Sequence, residues 1–168
     1  MLLISRARFG ESTRALAERF GIPKLQRYEY QEKGRAHAIM SNAAKIIDCA
    51  GICSFSMFLD IPYVELINAV TGWDCTIEEL ILTGERIQTL RQVFNVREGV
   101  VSSSFAIPRR VLGDPPLEKG PAAGRTIDVI SMAKNYYRAM DWDYATGRPS
   151  KQKLETLGLK DIAEELSL

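Results

Sequence analysis

The chain has 168 residues, 46% of them hydrophobic and 26% charged, and a net charge of +1 at neutral pH. These values suit one soluble globular domain and give no general attraction to nucleic acid or to an anionic membrane. No apolar run approaches the roughly 18 residues of a membrane span, and the apolar run at Met1–Ile4 is too short for a signal peptide, so a cytoplasmic protein is expected.

The predicted elements are helical from one end to the other. Glu11 to Phe20 places Leu16, Ala17 and Phe20 on one face and stops at Gly21-Ile22-Pro23. Ala36, Ile39, Met40, Ala43, Ile46, Ile47 and Ala50 recur at steps of three and four, which predicts an amphipathic helix running to Gly51. Phe55, Met57, Phe58 and Leu59 follow. Pro62 then opens a helix through Tyr63, Leu66, Ile67 and Val70 that ends at Thr71-Gly72-Trp73-Asp74. Thr76-Ile77-Glu78-Glu79 has the spacing of a capping box, and the helix behind it should run to about Val96.

From Arg97 to Arg125 the pattern fails, broken by Ser102-Ser103-Ser104, Pro108, Gly113, Pro115-Pro116, Gly120-Pro121 and Gly124. A loop this long should lie over a surface, its own or a partner's. A helix over Ile127–Met140, a turn over Trp142–Pro149, a short helix capped by Ser150 and a last turn or two from Asp161 to Leu166 complete the chain. The expected fold is all-α, an irregular domain of about six to seven helices with one long Gly/Pro/Ser-rich loop. Trp73 and Trp142 read as anchors where loops meet the core, and Lys33, Arg35 and Lys45 as a solvated face.

Residue types limit the chemistry. Cys49, Cys53 and Cys75 are an odd, small set and argue against a disulfide scaffold. With one histidine, His37, the chain has no Cys-His-His or His-His-carboxylate set for a metal. Cys49 and Cys75 read as packing residues, and His37 as a surface residue.

Several segments, in order, resemble one family. They are Asp48-Cys49-Ala50-Gly51-Ile52-Cys53-Ser54-Phe55, Ala69-Val70-Thr71-Gly72-Trp73-Asp74, Gly84-Glu85-Arg86-Ile87 and Leu90-Arg91-Gln92-Val93-Phe94-Asn95-Val96-Arg97-Glu98-Gly99. Pro116-Leu117, Gly120-Pro121, Tyr136-Tyr137, Trp142-Asp143, Gly147-Arg148-Pro149 and Leu157-Gly158-Leu159 follow in step. Together they resemble the C-terminal helical region of the tungsten-containing aldehyde ferredoxin oxidoreductases. The resemblance covers residues 33–168 and leaves 1–32 as an unplaced N-terminal helix and linker.

The resemblance implies an enzyme that oxidises aldehydes to carboxylic acids at a tungsten (or molybdenum) bis-pterin. A [4Fe–4S] cluster would pass the electrons to ferredoxin. Carried over by position, Cys53 is one of four cluster ligands, and Asp48, Gly51 and Ile52 lie on the pterin side. Ile52 stands for the family's Leu, a volume-conserving change. The family's other three cluster cysteines, in a Cys-x-x-Cys-x-x-x-Cys run, do not occur in this chain. An N-terminal cofactor-binding domain or subunit is therefore the expected partner, and the chain by itself is not expected to be active. On a continuous helix Asp48 and Cys53 would point about 140° apart, so both reach one cofactor only if the chain breaks at Gly51. The competing expectation is a free-standing helical interaction module without catalytic activity.

Overall fold

The computed structural model describes residues 18–22, 25–53 and 61–166, without the side chain of Ser103. Most of the helix expected over Glu11–Phe20, and the apolar stretch from Phe55 to Leu59, lie outside those residues. Among the described residues there are six α-helices and no extended strand, only two isolated bridges. The helices are α1 (Lys33–Cys49), α2 (Tyr63–Thr71), α3 (Ile77–Arg97), α4 (Val129–Met140), α5 (Lys151–Thr156) and α6 (Lys160–Glu165). The fold is all-α, and none of the described helices is long and apolar enough to cross a membrane.

Helix α3 is the spine. Its start is set by the capping box: the Glu79 N–H donates to Thr76 Oγ1 at 3.3 Å, and the Thr76 N–H donates to Glu79 Oε2 at 2.8 Å. Truncating Thr76 to alanine removes the acceptor for an otherwise orphaned N–H. We expect a loss of about 1 kcal/mol, read as a fall of roughly 2–4 °C in the thermal midpoint of a domain this size.

Helix α1 crosses both α3 and α4, and glycine makes each crossing possible. A Cβ built on Gly84 would lie 2.0 Å from the Asn42 carbonyl oxygen, and one on Gly34 would lie 2.3 Å from the Met132 carbonyl oxygen. The backbones themselves are in contact at these points. On one side of α1, Ala43 and Ile47 pack with Tyr63, Ile77 and Ile81. On the other, Ala38 packs with Met140 and Trp142. Around Trp142 the rings of Tyr136 and Tyr137 stand edge-on at 5.7 and 5.9 Å, the favoured aromatic geometry. His37 leans on Tyr136 at 5.4 Å, and that partial burial lowers its pKa from the ordinary imidazole value.

The C-terminal tail is fastened to α3 by polar residues from one face. Glu85 pairs with Lys153 at 2.8 Å, Arg86 Nε donates to the Leu157 carbonyl at 2.7 Å, and Gln92 Nε2 donates to the Gly147 carbonyl at 2.9 Å. Beneath these bonds Val93 packs on Leu154, Ala163 and Leu166. The Gly84-Glu85-Arg86 and Gln92-Val93 segments of the family-like signature thus act in holding the fold together.

The long loop from Glu98 to Asp128 contains one 3-10 turn, Ser102–Ser104. It lies over the chain's own N-terminal segment. The Tyr28 and Tyr30 hydroxyls donate to the carbonyls of Pro121 and Thr126, and the Arg125 guanidinium sits 4.5 Å above the Tyr28 ring. Two readings from sequence need correcting. Lys33 is buried, because its ammonium donates to the Arg27 carbonyl and lies against the Tyr30 ring. Trp73 is 59% exposed, at the edge of a surface groove and not in the core. Gly72, at φ +74°, ends α2, and the Asn68 side chain clamps both backbone groups of Cys75. The short link between them is therefore held on the surface. Trp142, in contrast, is buried as expected.

Candidate functional site

The segment Asp48 to Cys53 is the C-terminal exit of α1. Helix hydrogen bonding stops at Cys49, Ala50 is the cap, and Gly51 turns left-handed with φ +69°. The Gly51 N–H donates to the Asp48 carbonyl at 3.2 Å and the Ile52 N–H donates to the Ile47 carbonyl at 3.1 Å. This pair of bonds is a Schellman motif. Its usual apolar contact is also present, since Ile52 folds back onto the cluster that contains Ile47.

The motif sorts the six residues. Ile52 points inward and fixes the turn. Asp48, Cys49, Gly51 and Cys53 are exposed. The break at Gly51 needed for Asp48 and Cys53 to serve one site is therefore present. A Cβ on Gly51 would meet nothing within 4 Å, so the outside of the turn is open to close approach. Gly51→Ala would keep that space but force a side chain into the left-handed region, which costs about 1 kcal/mol. We expect a lowered urea midpoint.

Electrostatics around the turn centre on a neighbour that the sequence reading had only placed on a solvated face. Lys45 Nζ lies 2.6 Å from Asp48 Oδ2, three residues back on the same helix face. A carboxylate at a helix C-terminus faces the negative end of the helix dipole, and no basic residue occupies the last turn of α1. The Lys45 ammonium offsets that repulsion and fixes the carboxylate's direction. The spacing of Lys45 and Asp48 was the available signal, because charges three apart on a helix are neighbours.

Cys49 takes a different role from Cys53. It lines an apolar groove of about 480 Å³ between the end of α1, α2 and α3. Cys75 is half-buried in the link before α3. Among the described residues no three His, Cys, Asp or Glu side chains stand close enough to hold a metal ion together. The donors exposed at the turn are thus the Cys53 thiol, the Cys49 thiol at the edge of the groove, and the Asp48 carboxylate before them. Of these, the Cys53 thiol fits a single position on a cluster iron and the carboxylate an acceptor for N–H groups. The set does not fit a complete metal site.

The described residues thus form a helical domain with an open turn that exposes thiols and a carboxylate. A family model described as "Aldehyde ferredoxin oxidoreductase, domains 2 & 3" matches residues 7–159. The chain belongs to the aldehyde ferredoxin oxidoreductase family. The matched span starts well before Lys33, where the recognisable motifs begin. Among its relatives are tungsten-containing aldehyde ferredoxin oxidoreductases from Pyrococcus furiosus and Pyrococcus abyssi. They are 31% and 30% identical over 152 residues, which cover 83% of this chain and 25% and 24% of theirs. The protein of the same description from Thermococcus kodakarensis is 29% identical, again over 83% of this chain and 25% of its own. The chain spans about a quarter of the length of these curated relatives.

Proposed function

We propose that the chain acts as the C-terminal part of an aldehyde:ferredoxin oxidoreductase in the cytoplasm, supplying Cys53 to a [4Fe–4S] cluster and Asp48 to a pterin. The supporting observation is the Schellman turn, which brings out the acceptor and the thiol and turns Ile52 inward. The overall reaction would convert an aldehyde and water to a carboxylic acid, two protons and two electrons, the electrons leaving for ferredoxin. When bound, a tungsten or molybdenum bis-pterin supplies the two-electron oxidation and the cluster the one-electron relay. The chain's own residues have simpler tasks. Cys53, as thiolate, holds one iron. Asp48 accepts hydrogen bonds from ring N–H groups, held in direction by Lys45. The bare backbone at Gly51 leaves room for a planar ring to lie close, and Ile52 keeps the turn rigid from beneath.

We read residues 33–168 as the helical unit and 1–32 as a leading helix and linker. The remaining three thiolates and most of the pterin cradle belong to an N-terminal domain or subunit.

The test is purification of the tagged chain from its native cells without oxygen, followed by metal analysis and a dye-reduction assay with added aldehyde. About four irons per chain, with tungsten or molybdenum and aldehyde-dependent reduction, are expected. A stoichiometric complex with neither iron nor pterin metal would overturn the reading. That result would favour a second one, a free-standing helical interaction module without catalytic activity, for which the apolar groove beside Cys49 is the motivating feature.

A further inference from the structure

The groove beside the turn is an apolar feature that the proposed cofactor role leaves unused. Its walls come from three helices: Cys49 and Ala50 at the end of α1, Leu66 and Val70 on α2, and Leu80 and Ile87 on α3. Among the described residues no charged side chain lines it. Its outer edge is unusually bare, with Leu66 47%, Trp73 59% and Val70 86% exposed. Leu66 and Val70 are one helical turn apart, so they form a continuous apolar stripe. Scattered single exposures need no explanation, but a contiguous patch around a groove marks a binding surface.

We propose that this groove is the docking surface for an apolar face of the polypeptide that completes the iron–sulfur cluster. The inference rests on the assignment of Cys53 as a cluster ligand. Three further thiolates must be brought to within one cluster's width of Cys53, and no three metal-binding side chains come together among the described residues. The body that carries them has to cover the Asp48–Cys53 turn. Cys49, Ala50 and Ile52 belong to that turn and also line the groove, so a body seated on one is seated on the mouth of the other. The uncharged lining selects an apolar contact over an acidic or basic peptide, and a groove between helices suits an inserted helix face. The curated relatives, about four times the aligned length, have room for such a body in their additional chain.

The experiment places a photo-crosslinking residue in the full chain and uses the complex purified from native cells. The variants are Val70→p-benzoylphenylalanine, Trp73→p-benzoylphenylalanine and, as a control on exposed α6, Glu164→p-benzoylphenylalanine. Peptide mass spectrometry identifies what is captured, and iron is measured on the same sample. Crosslinks from positions 70 and 73, but not 164, to a polypeptide that contributes three cysteines to the cluster are the expected result. Val70→Glu should reduce recovery of that polypeptide roughly tenfold or more, since a carboxylate would be buried unpaired, with helical content unchanged. Crosslinks only to a second copy, only within the chain, or equally from position 164 would overturn the proposal. So would undiminished partner recovery with Val70→Glu. The two readings separate cleanly. An iron-loaded complex with no crosslink at 70 or 73 defeats the groove and spares the cluster. Crosslinks in a complex without iron, to a polypeptide lacking those cysteines, defeat both.

Discussion

Gly84→Ala should be among the most damaging single-methyl changes in this protein, lowering stability by about 3 kcal/mol, at the upper end of the range for an overpacked core. Helix propensity alone gives the opposite sign, because alanine in place of glycine in a helix interior gains about 1 kcal/mol. The decision rests on one distance. The new methyl would lie 2.0 Å from the Asn42 carbonyl oxygen, which is backbone and cannot swing away. Helix α1 would have to lift from α3, loosening the packing of Ala43 and Ile47 on Ile77 and Ile81. Urea unfolding reads the effect as a lower midpoint with an unchanged slope. A midpoint equal to or above that of the parent would mean that the two helices do not touch backbone to backbone. Gly34→Ala tests the other crossing in the same way, where the methyl would meet the Met132 carbonyl oxygen at 2.3 Å and the Tyr136 nitrogen at 2.5 Å.

The largest expected functional effect belongs to Cys53→Ala in the assembled enzyme. Under the proposed assignment the change removes one of four thiolates and leaves an iron without its protein ligand. Cluster iron should fall and aldehyde-dependent dye reduction should drop roughly tenfold or more, with the chain still folded. Cys49→Ala is the matched control. Cys49 is four residues away, at the last turn of α1, and also exposed, but it lines the apolar groove. Its loss removes a small hydrophobic contact and should leave iron content as it was. Equal iron in Cys53→Ala and the parent would end the ligand assignment. A loss in both variants would point to a disturbed turn. Circular dichroism, together with the Gly51→Ala variant that strains the turn and keeps the thiol, separates the two causes.

The sequence by itself determined where the helices are and how they begin and end. Amphipathic spacing located α1, the Thr76/Glu79 pair set the start of α3, and Gly51 marked the end of α1. These are local effects: hydrophobic period, caps and left-handed glycine act within a few residues and so can be read from a string. The ordered motifs also sufficed to reach the family. What they did not distinguish was which motif residues hold the fold and which face outward.

That distinction needed the tertiary structure. Gly84, Glu85, Arg86 and Gln92 face other parts of the chain and fasten α1 and the tail to α3. Trp73 in a neighbouring motif stands on the surface beside the apolar groove. Lys33 is buried, and Lys45 belongs with Asp48. Such facts depend on which elements meet and at what distance, and partners tens of residues apart leave no periodic trace. The chain's local physics wrote the turn from Asp48 to Cys53, while packing decided that Ile52 goes in and that the carboxylate and the thiol stay out.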